Sequence, residues 1–176
     1  MDLAFDAMLF ARQVHSRQVR KYSGNPYVDH LAEVAGIVAT VGGTPDQIAV
    51  AWLHDCVEDQ GVTEPTLVAR FGPTIAYGVM MMSDLESGNR ETRKRLSRER
   101  LAAAPGWVQT VKVADLISNT STIVVHDPHF ARVFLHEKRL LLDVLTEADP
   151  RLLALARSQA RPAQTDRADP KQTGGG

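Results

Sequence analysis

Residues 54–59 read His-Asp-Cys-Val-Glu-Asp. On a continuous helix His54, Asp55, Glu58 and Asp59 would share an arc of about 140°, at 100° per residue. Three of the four are acids, and like charges so close are costly unless a cation sits among them. A second set lies downstream, where Lys112, Asp115 and Asn119 fall on one helical face with Val108 and Val111. A third position, His30, heads an apolar face made by Val34, Ile37, Val38 and Val41. Each residue alone has an ordinary reading as a hydrogen-bonded core histidine, a cap or half of an ion pair. Together they place imidazole and carboxylate groups toward the interior from three separate helices. Two imidazoles and two carboxylates, without sulfur, suit a mid-row divalent ion, and manganese, iron(II), magnesium and zinc all fit this donor set. Four protein ligands on an octahedral ion leave positions for water and a phosphate oxygen.

The elements that must carry these groups are helical. Leu3, Ala7, Phe10, Ala11 and Val14 mark the buried face of a first helix. A polar stretch, 18–25, leads to a second helix over about 28–41, ended by Gly42-Gly43. Thr44-Pro45 is a hydroxyl N-cap followed by a first-turn proline, and the helix it opens is predicted to run to about Asp59, with Gly61 as its stop. Thr63 caps a short helix to Phe71, and Pro73 opens one carrying Ile75, Val79 and Met82. Residues 83–89 read as a loop, and 90–103 as a charged helix. Pro105 starts a helix to about Asn119 or a little beyond. His126-Asp127 reads as a capping loop before Pro128, which opens a long helix with apolar residues on both faces. A last short helix covers about 151–157. No alternating strand pattern, repeat or heptad run is visible. The predicted fold class is all-α, a compact bundle of about eight or nine short helices in one domain over 1–157, followed by a disordered polar tail from Ser158 to Gly176.

Composition agrees with such a bundle. The chain has 176 residues, 44% hydrophobic and 23% charged, which suits one domain with a real core. Twenty basic against twenty-one acidic side chains give a net charge of −1, so no global basic field for nucleic acid is present. The single cysteine, Cys56, excludes an internal disulfide framework and a Cys-rich zinc site; it reads as a small buried hydrophobe. No apolar stretch approaches the ~20 residues that span a bilayer, and the acidic N-terminus lacks the basic region of a signal peptide. The expectation is a soluble protein of a reducing, cytoplasmic compartment.

Read in order, "HSRQVRKYSGNPYVDH" at 15–30, "HDCVED" at 54–59, "VTEPTLVARFG" at 62–72 and "KVADLISN" at 112–119 resemble the HD-domain metal-dependent phosphohydrolases. The finer resemblance is to the hydrolase domain of RelA/SpoT-type proteins and to the stand-alone small alarmone hydrolases, including the metazoan SpoT-like enzymes. It covers about residues 1–150. The resemblance implies an all-α HD-domain phosphohydrolase fold holding one manganese ion. It also implies hydrolysis of the 3′-diphosphate of ppGpp and pppGpp to GDP or GTP plus pyrophosphate. Carried over, His30, His54, Asp55 and Asp115 would be the metal ligands. Glu58 and Asp59 would activate or orient the attacking water, Arg20 and Lys21 would hold the nucleotide, and Asn119 would help fix ribose or phosphate.

A bis-diphosphate needs cations, and 90–100 supplies six of them against two carboxylates. Most read as a solvated helix face. Arg90 and Arg93 follow a loop directly and can swing toward a phosphate, and Lys112, one turn from Asp115, is a further candidate. Three features depart from the family pattern, one of them the stretch Ser83-Asp84-Leu85, a shortened version of a more acidic or Thr-rich turn. Arg17 stands where glycine is expected, and Phe134 where tyrosine is frequent, which removes a hydroxyl. The partner expected is a small nucleotide, with neither nucleic acid nor membrane, and the two apolar faces of the helix from Pro128 leave room for a homodimer. A length of 176 residues leaves no space for a synthetase domain, so degradation of the nucleotide is expected and not its synthesis. Two other functions stay open on the sequence. One keeps the site and changes the substrate, to ppApp-type alarmones or the 2′-phosphate of NADPH. The other is a non-catalytic nucleotide sensor, or an antitoxin-like partner of an alarmone synthetase.

Overall fold

Helices account for nearly all regular structure in the computed structural model, which describes residues 2–161. In chain order they are α1 (Leu3–Val14), α2 (Val28–Thr40), α3 (Pro45–Leu53), α4 (Cys56–Gln60), α5 (Glu64–Phe71), α6 (Pro73–Met82), α7 (Arg90–Ala102), α8 (Gly106–His126), α9 (Pro128–Leu142) and α10 (Pro150–Gln159). The only β pairing among the described residues is an isolated antiparallel bridge between Val19 and Pro26. It closes the polar loop between α1 and α2.

Most helix starts follow from local chemistry. Thr44 and Gln47 form a reciprocal capping box ahead of Pro45. The side chains of Thr63, Asn89, Asp127 and Asp149 cap α5, α7, α9 and α10. α3 is the hub, packing against α1, α2, α6 and α8. Its interior positions Ala49, Val50, Ala51 and Leu53 are fully buried, as are Ala7 and Ala11 on α1. Small side chains on facing helices let their axes approach closely. Each fully buried leucine or valine adds about 1.5–3 kcal/mol from removed apolar surface.

One expected helix is two. The predicted third helix breaks at His54-Asp55, where Asp55 sits at φ −102°, ψ −1°, so α3 and α4 are its halves; counted as one broken helix, they bring the total among the described residues to nine. The bend turns His54 and Asp55 out of the helical ladder, so the shared-arc geometry inferred from the sequence does not hold. Gly61, at φ +67°, ends α4 in the left-handed region, as its position suggested.

α8 exceeds the expected end near Asn119 and runs to His126. Asp127 alone makes the cap, accepting the Phe130 N–H. At its start, a Cβ on Gly106 would lie 2.4 Å from the Glu147 carbonyl oxygen, so glycine is required where this helix meets the following turn. The fully buried Gln109 amide fixes the same junction, donating to Leu101 O and Ala104 O and accepting from Glu147 N–H. α10 continues two residues beyond the predicted 157, because tertiary bonds hold its polar end: Lys138 donates to Gln159 Oε1 and Arg139 to Ala160 O. The tail predicted from Ser158 otherwise lies, from residue 162 on, outside the described residues. Val133 and Leu140 of α9 remain exposed. No helix is long and apolar enough to cross a membrane among the described residues.

Candidate metal centre and adjoining cavity

α2, the α3–α4 bend and α8 bring four side chains to one point. His30 Nε2 lies 3.3 Å from Asp115 Oδ1 and 3.7 Å from Asp55 Oδ2. His54 Nε2 lies 3.1 Å from Asp55 Oδ2 and 3.6 Å from Asp115 Oδ1. Donor atoms of His30, His54 and Asp115 fall within 4.8 Å of one another, and all three residues are buried. Asp55 closes the set from the more open side.

The protonation pattern makes this donor set fit a cation. His54 Nδ1 faces only a carbonyl, Ala51 O at 2.7 Å, so Nδ1 carries the hydrogen. His30 Nδ1 meets Ser118 Oγ at 2.8 Å, and the Ser118 hydroxyl in turn donates to Glu33 Oε2 at 2.7 Å. A hydrogen on each Nδ1 leaves Nε2 as the nitrogen of both rings that can offer a lone pair to an ion. These two buried nitrogens have no hydrogen-bond partner, and each lies within 3.3 Å of a carboxylate oxygen. Lone pairs converging on anions call for a positive charge between them. In the chain by itself, burial opposes charging His54, yet Asp55 and Asp115 push its pKa well up. Burial would raise the Asp115 carboxyl, but Lys112 and the two histidines hold it well below the ordinary range. Asp55 is likewise held down, to about 2, by His54 against the effect of burial. These residues have the nitrogen and oxygen chemistry of a divalent-ion site.

The lead-in segment wraps around this centre. Tyr27 donates its hydroxyl to Asp55 Oδ2 at 2.6 Å, and burial together with Asp55 raises the phenol's pKa. The buried His15 ring stacks on Tyr27 at 5.3 Å and donates from Nδ1 to Gln18 Oε1. Gln18 then donates to Asp59 Oδ2 at 2.7 Å. Glu58 takes the Asp84 backbone N–H on Oε2 at 3.0 Å, and burial raises its pKa. Asp59 and Glu58 thus flank the centre from α4, each with one oxygen engaged.

On α8, Lys112 Nζ lies 3.0 Å from Asp115 Oδ2, and Asn119 donates to Asp115 Oδ1 at 2.7 Å. Arg20 reaches the same place, donating to Asn119 Oδ1 at 3.1 Å. Lys21 Nζ lies over the Tyr22 ring, 5.0 Å from its centroid. A cavity of about 300 Å³ opens beside Asp115, between α7, α8 and α9. Arg90, Lys94, Arg98 and Lys112 line its charged side, and Leu116, Ile123, Phe130 and Phe134 its apolar side. Arg93 is exposed and is not among the lining residues. Arg90 is engaged in a fork-to-fork pair with Glu137, at 2.7 and 2.8 Å, over the Phe130 ring. Lys138 is buried at the cavity wall among neutral oxygens of Leu116, Thr120 and Gln159, and burial lowers its pKa to about 8.

The family model described as an HD domain matches residues 7–123, which span every ligand candidate and both flanking acids. The chain belongs to the HD-domain family. This HD domain is 33% identical over 139 residues to a Synechocystis protein named as a probable guanosine-3′,5′-bis(diphosphate) 3′-pyrophosphohydrolase. That match covers 76% of the chain but only 18% of the relative. It is 29% identical over 126 residues to the Drosophila melanogaster guanosine-3′,5′-bis(diphosphate) 3′-pyrophosphohydrolase MESH1, covering 70% of each. In fold it matches the solved structure of a metazoan SpoT orthologue described as hydrolysing ppGpp, with a TM-score of 0.83 at 24% identity over 90% of this chain and 94% of that one. A Listeria monocytogenes crystal structure matches at a TM-score of 0.67 and 22% identity, over 79% and 96%.

Several participants carried no assigned role in the sequence reading. Ser118 and Glu33 each stand three residues after a ligand candidate, Asp115 and His30, on the same helical face, and that spacing was their signal. Tyr27 and Gln18 lie inside the quoted lead-in motif. Arg98 and Lys94 are hidden among the charges of α7, and only the packing of α7 on α8 and α9 singles them out.

Proposed function

We propose that the chain is a manganese-dependent pyrophosphohydrolase that removes the 3′-diphosphate of ppGpp and pppGpp, giving GDP or GTP and pyrophosphate. The observation that carries this reading is the pair of buried, unpartnered Nε2 atoms of His30 and His54 beside Asp55 and Asp115, with two further carboxylates at the rim and a cavity alongside whose lining carries Arg90, Lys94, Arg98 and Lys112 together with Asp84 and Glu137. The named activities of the Synechocystis and Drosophila relatives support it.

The reaction breaks the ester bond between the ribose 3′ oxygen and phosphorus. A water's hydroxyl joins the phosphorus, and its proton ends on the 3′ oxygen. When bound, the ion makes water more acidic and offsets charge on phosphate oxygens. Glu58, with Oε1 not engaged by Asp84, is placed to accept the water's proton, and its raised pKa suits that task. Asp59, oriented by Gln18, holds the water. Arg20 and Asn119 hold the nucleoside side of the substrate. Lys112 and the α7 cations neutralise the diphosphates, and the apolar wall with Phe130 and Phe134 excludes water from them. Cys56, buried and unpaired, accords with a reducing, cytoplasmic setting.

The test is a nucleotide panel of ppGpp, pppGpp, ppApp, NADPH and GTP, given to manganese-loaded protein and to Asp59→Ala. Pyrophosphate release from ppGpp and pppGpp that the variant loses is the expected result. Turnover of ppApp or NADPH alone overturns the substrate and keeps the site. No turnover with manganese bound would make the protein a nucleotide sensor or binding partner.

A further inference from the structure

The two histidines at the centre are oriented by different means. His54 donates Nδ1–H to Ala51 O, a carbonyl of its own helix, so the backbone alone fixes its tautomer. His30 has no such carbonyl. Its Nδ1 faces a hydroxyl, Ser118 Oγ, which can either accept from Nδ1 or donate to it. Glu33 Oε2, 2.7 Å from the same hydroxyl, decides between the two. A carboxylate only accepts, so it takes the Ser118 proton and turns the oxygen's lone pairs toward Nδ1. His30 must then hold a hydrogen on Nδ1, which leaves Nε2, 3.3 Å from Asp115 Oδ1, as the nitrogen free to face an ion.

We infer that Glu33, through Ser118, is a positioning residue that sets the tautomer of His30 and thereby its capacity to ligate a divalent ion. Without Glu33 the Ser118 hydroxyl is free to donate to Nδ1. The imidazole proton then moves to Nε2, where Asp55 and Asp115 accept it, and this nitrogen no longer offers a lone pair. Removing Ser118 has the same consequence, because Nδ1–H loses its buried acceptor. Ser118 is fully buried and His30 nearly so, so water does not stand in for the Ser118 hydroxyl. Glu33 is exposed, one turn beyond His30 on α2, and its truncation leaves the core untouched. Outer partners of ligating histidines change metal affinity by about 10- to 100-fold. The inference rests on the ion-site reading above for its consequence, but not for its first observable.

That observable is the His30 tautomer in the metal-free protein, read from long-range 15N–1H correlations of the imidazole. The companion measurement is the manganese dissociation constant from titration, made on wild type, Glu33→Ala, Glu33→Gln and Ser118→Ala. Wild type is expected to carry a hydrogen on Nδ1, whether or not the facing Asp55 and Asp115 also draw a proton to Nε2. Glu33→Ala and Ser118→Ala are expected to shift the ring toward Nε2–H and raise the dissociation constant about 10-fold or more. Glu33→Gln, whose amide oxygen still accepts the hydroxyl proton, is expected to keep the tautomer and bind manganese more tightly than Glu33→Ala. An unchanged melting temperature in Glu33→Ala separates positioning from folding. A wild-type tautomer and wild-type affinity in Glu33→Ala would overturn the inference. Failure of wild type to bind manganese, with the tautomer shift still seen, would overturn the ion-site reading and leave the relay standing.

Discussion

The backbone N–H of Asp84 meets Glu58 Oε2 at 3.0 Å, tying the loop after α6 to the rim of the metal centre. The bond engages one carboxylate oxygen and leaves the other for chemistry. Burial outweighs this bond and raises the Glu58 pKa above its ordinary value of 4.5.

A base works only when deprotonated. The acid limb of kcat/KM for ppGpp should therefore lie above the ordinary glutamate value, with activity falling as pH drops through it. Glu58→Gln should lower kcat by about 10²–10⁴-fold, change KM little, and abolish that limb. A limb of unchanged position in the variant would assign it to another group.

Asp84 also has a stability role. Burial would raise its carboxyl, but Lys112, the hydrogen bond from Lys94 and that from Ser97 hold it well below the ordinary range. A carboxylate with a depressed folded-state pKa stabilises the fold above its unfolded value near 4 and loses that contribution as pH falls. Asp84→Asn should cost about 2–4 kcal/mol at pH 7, because Lys94 loses its partner and Arg100 keeps only Glu86 of its two carboxylates. In urea melts from pH 7 to 3, the gap between variant and wild type should narrow below about pH 4.

Removing the ion should loosen the whole bundle, because its donors come from α2, the α3–α4 bend and α8. At 100 times the dissociation constant, manganese contributes about 2.7 kcal/mol. For a domain of this size that corresponds to about 5–10 °C in melting temperature, lost on chelation and restored by manganese. Asp115→Ala should show no manganese-dependent shift in the same thermal scan.

Arg90 is the phosphate candidate that the fold keeps occupied. Glu137 holds its guanidinium in a fork over Phe130, so a substrate phosphate must compete for it. Glu137→Gln should lower KM for ppGpp by up to about fivefold, the equivalent of a 1 kcal/mol exposed pair, with kcat unchanged. Arg90→Ala should raise KM. A raised KM in both variants would instead make Glu137 the group that aims Arg90 at the substrate.

Much of this was legible in the sequence because it is local. Thr44-Pro45 and Asp127-Pro128 cap the helices they precede, and Gly61 ends α4. Lys112, Asp115 and Asn119 meet because a single helix spaces them. Other features depend on tertiary packing and leave no local trace. The bend at Asp55 interrupts a sequence that reads as unbroken helix, and α10 continues through polar residues because Lys138 and Arg139 reach it. Arg90 carries the same charge as Arg93, yet only the fold puts one against Glu137 and leaves the other in solvent.

The His30–Ser118 bond joins positions 88 residues apart. During synthesis the ribosome releases His30, His54 and Asp55 well before α8 exists, and a nascent chain that ends at α7 lacks Asp115, Ser118, Lys112 and Asn119 together. Such a chain has the imidazoles and Asp55 without Asp115, the second carboxylate that faces them, or the hydroxyl that orients one of them. Ion capture therefore belongs to the end of biogenesis, after α8 docks, and the bound ion acts as a seal on a finished molecule: half-made chains hold cellular metal poorly, and only completed ones gain its stabilisation.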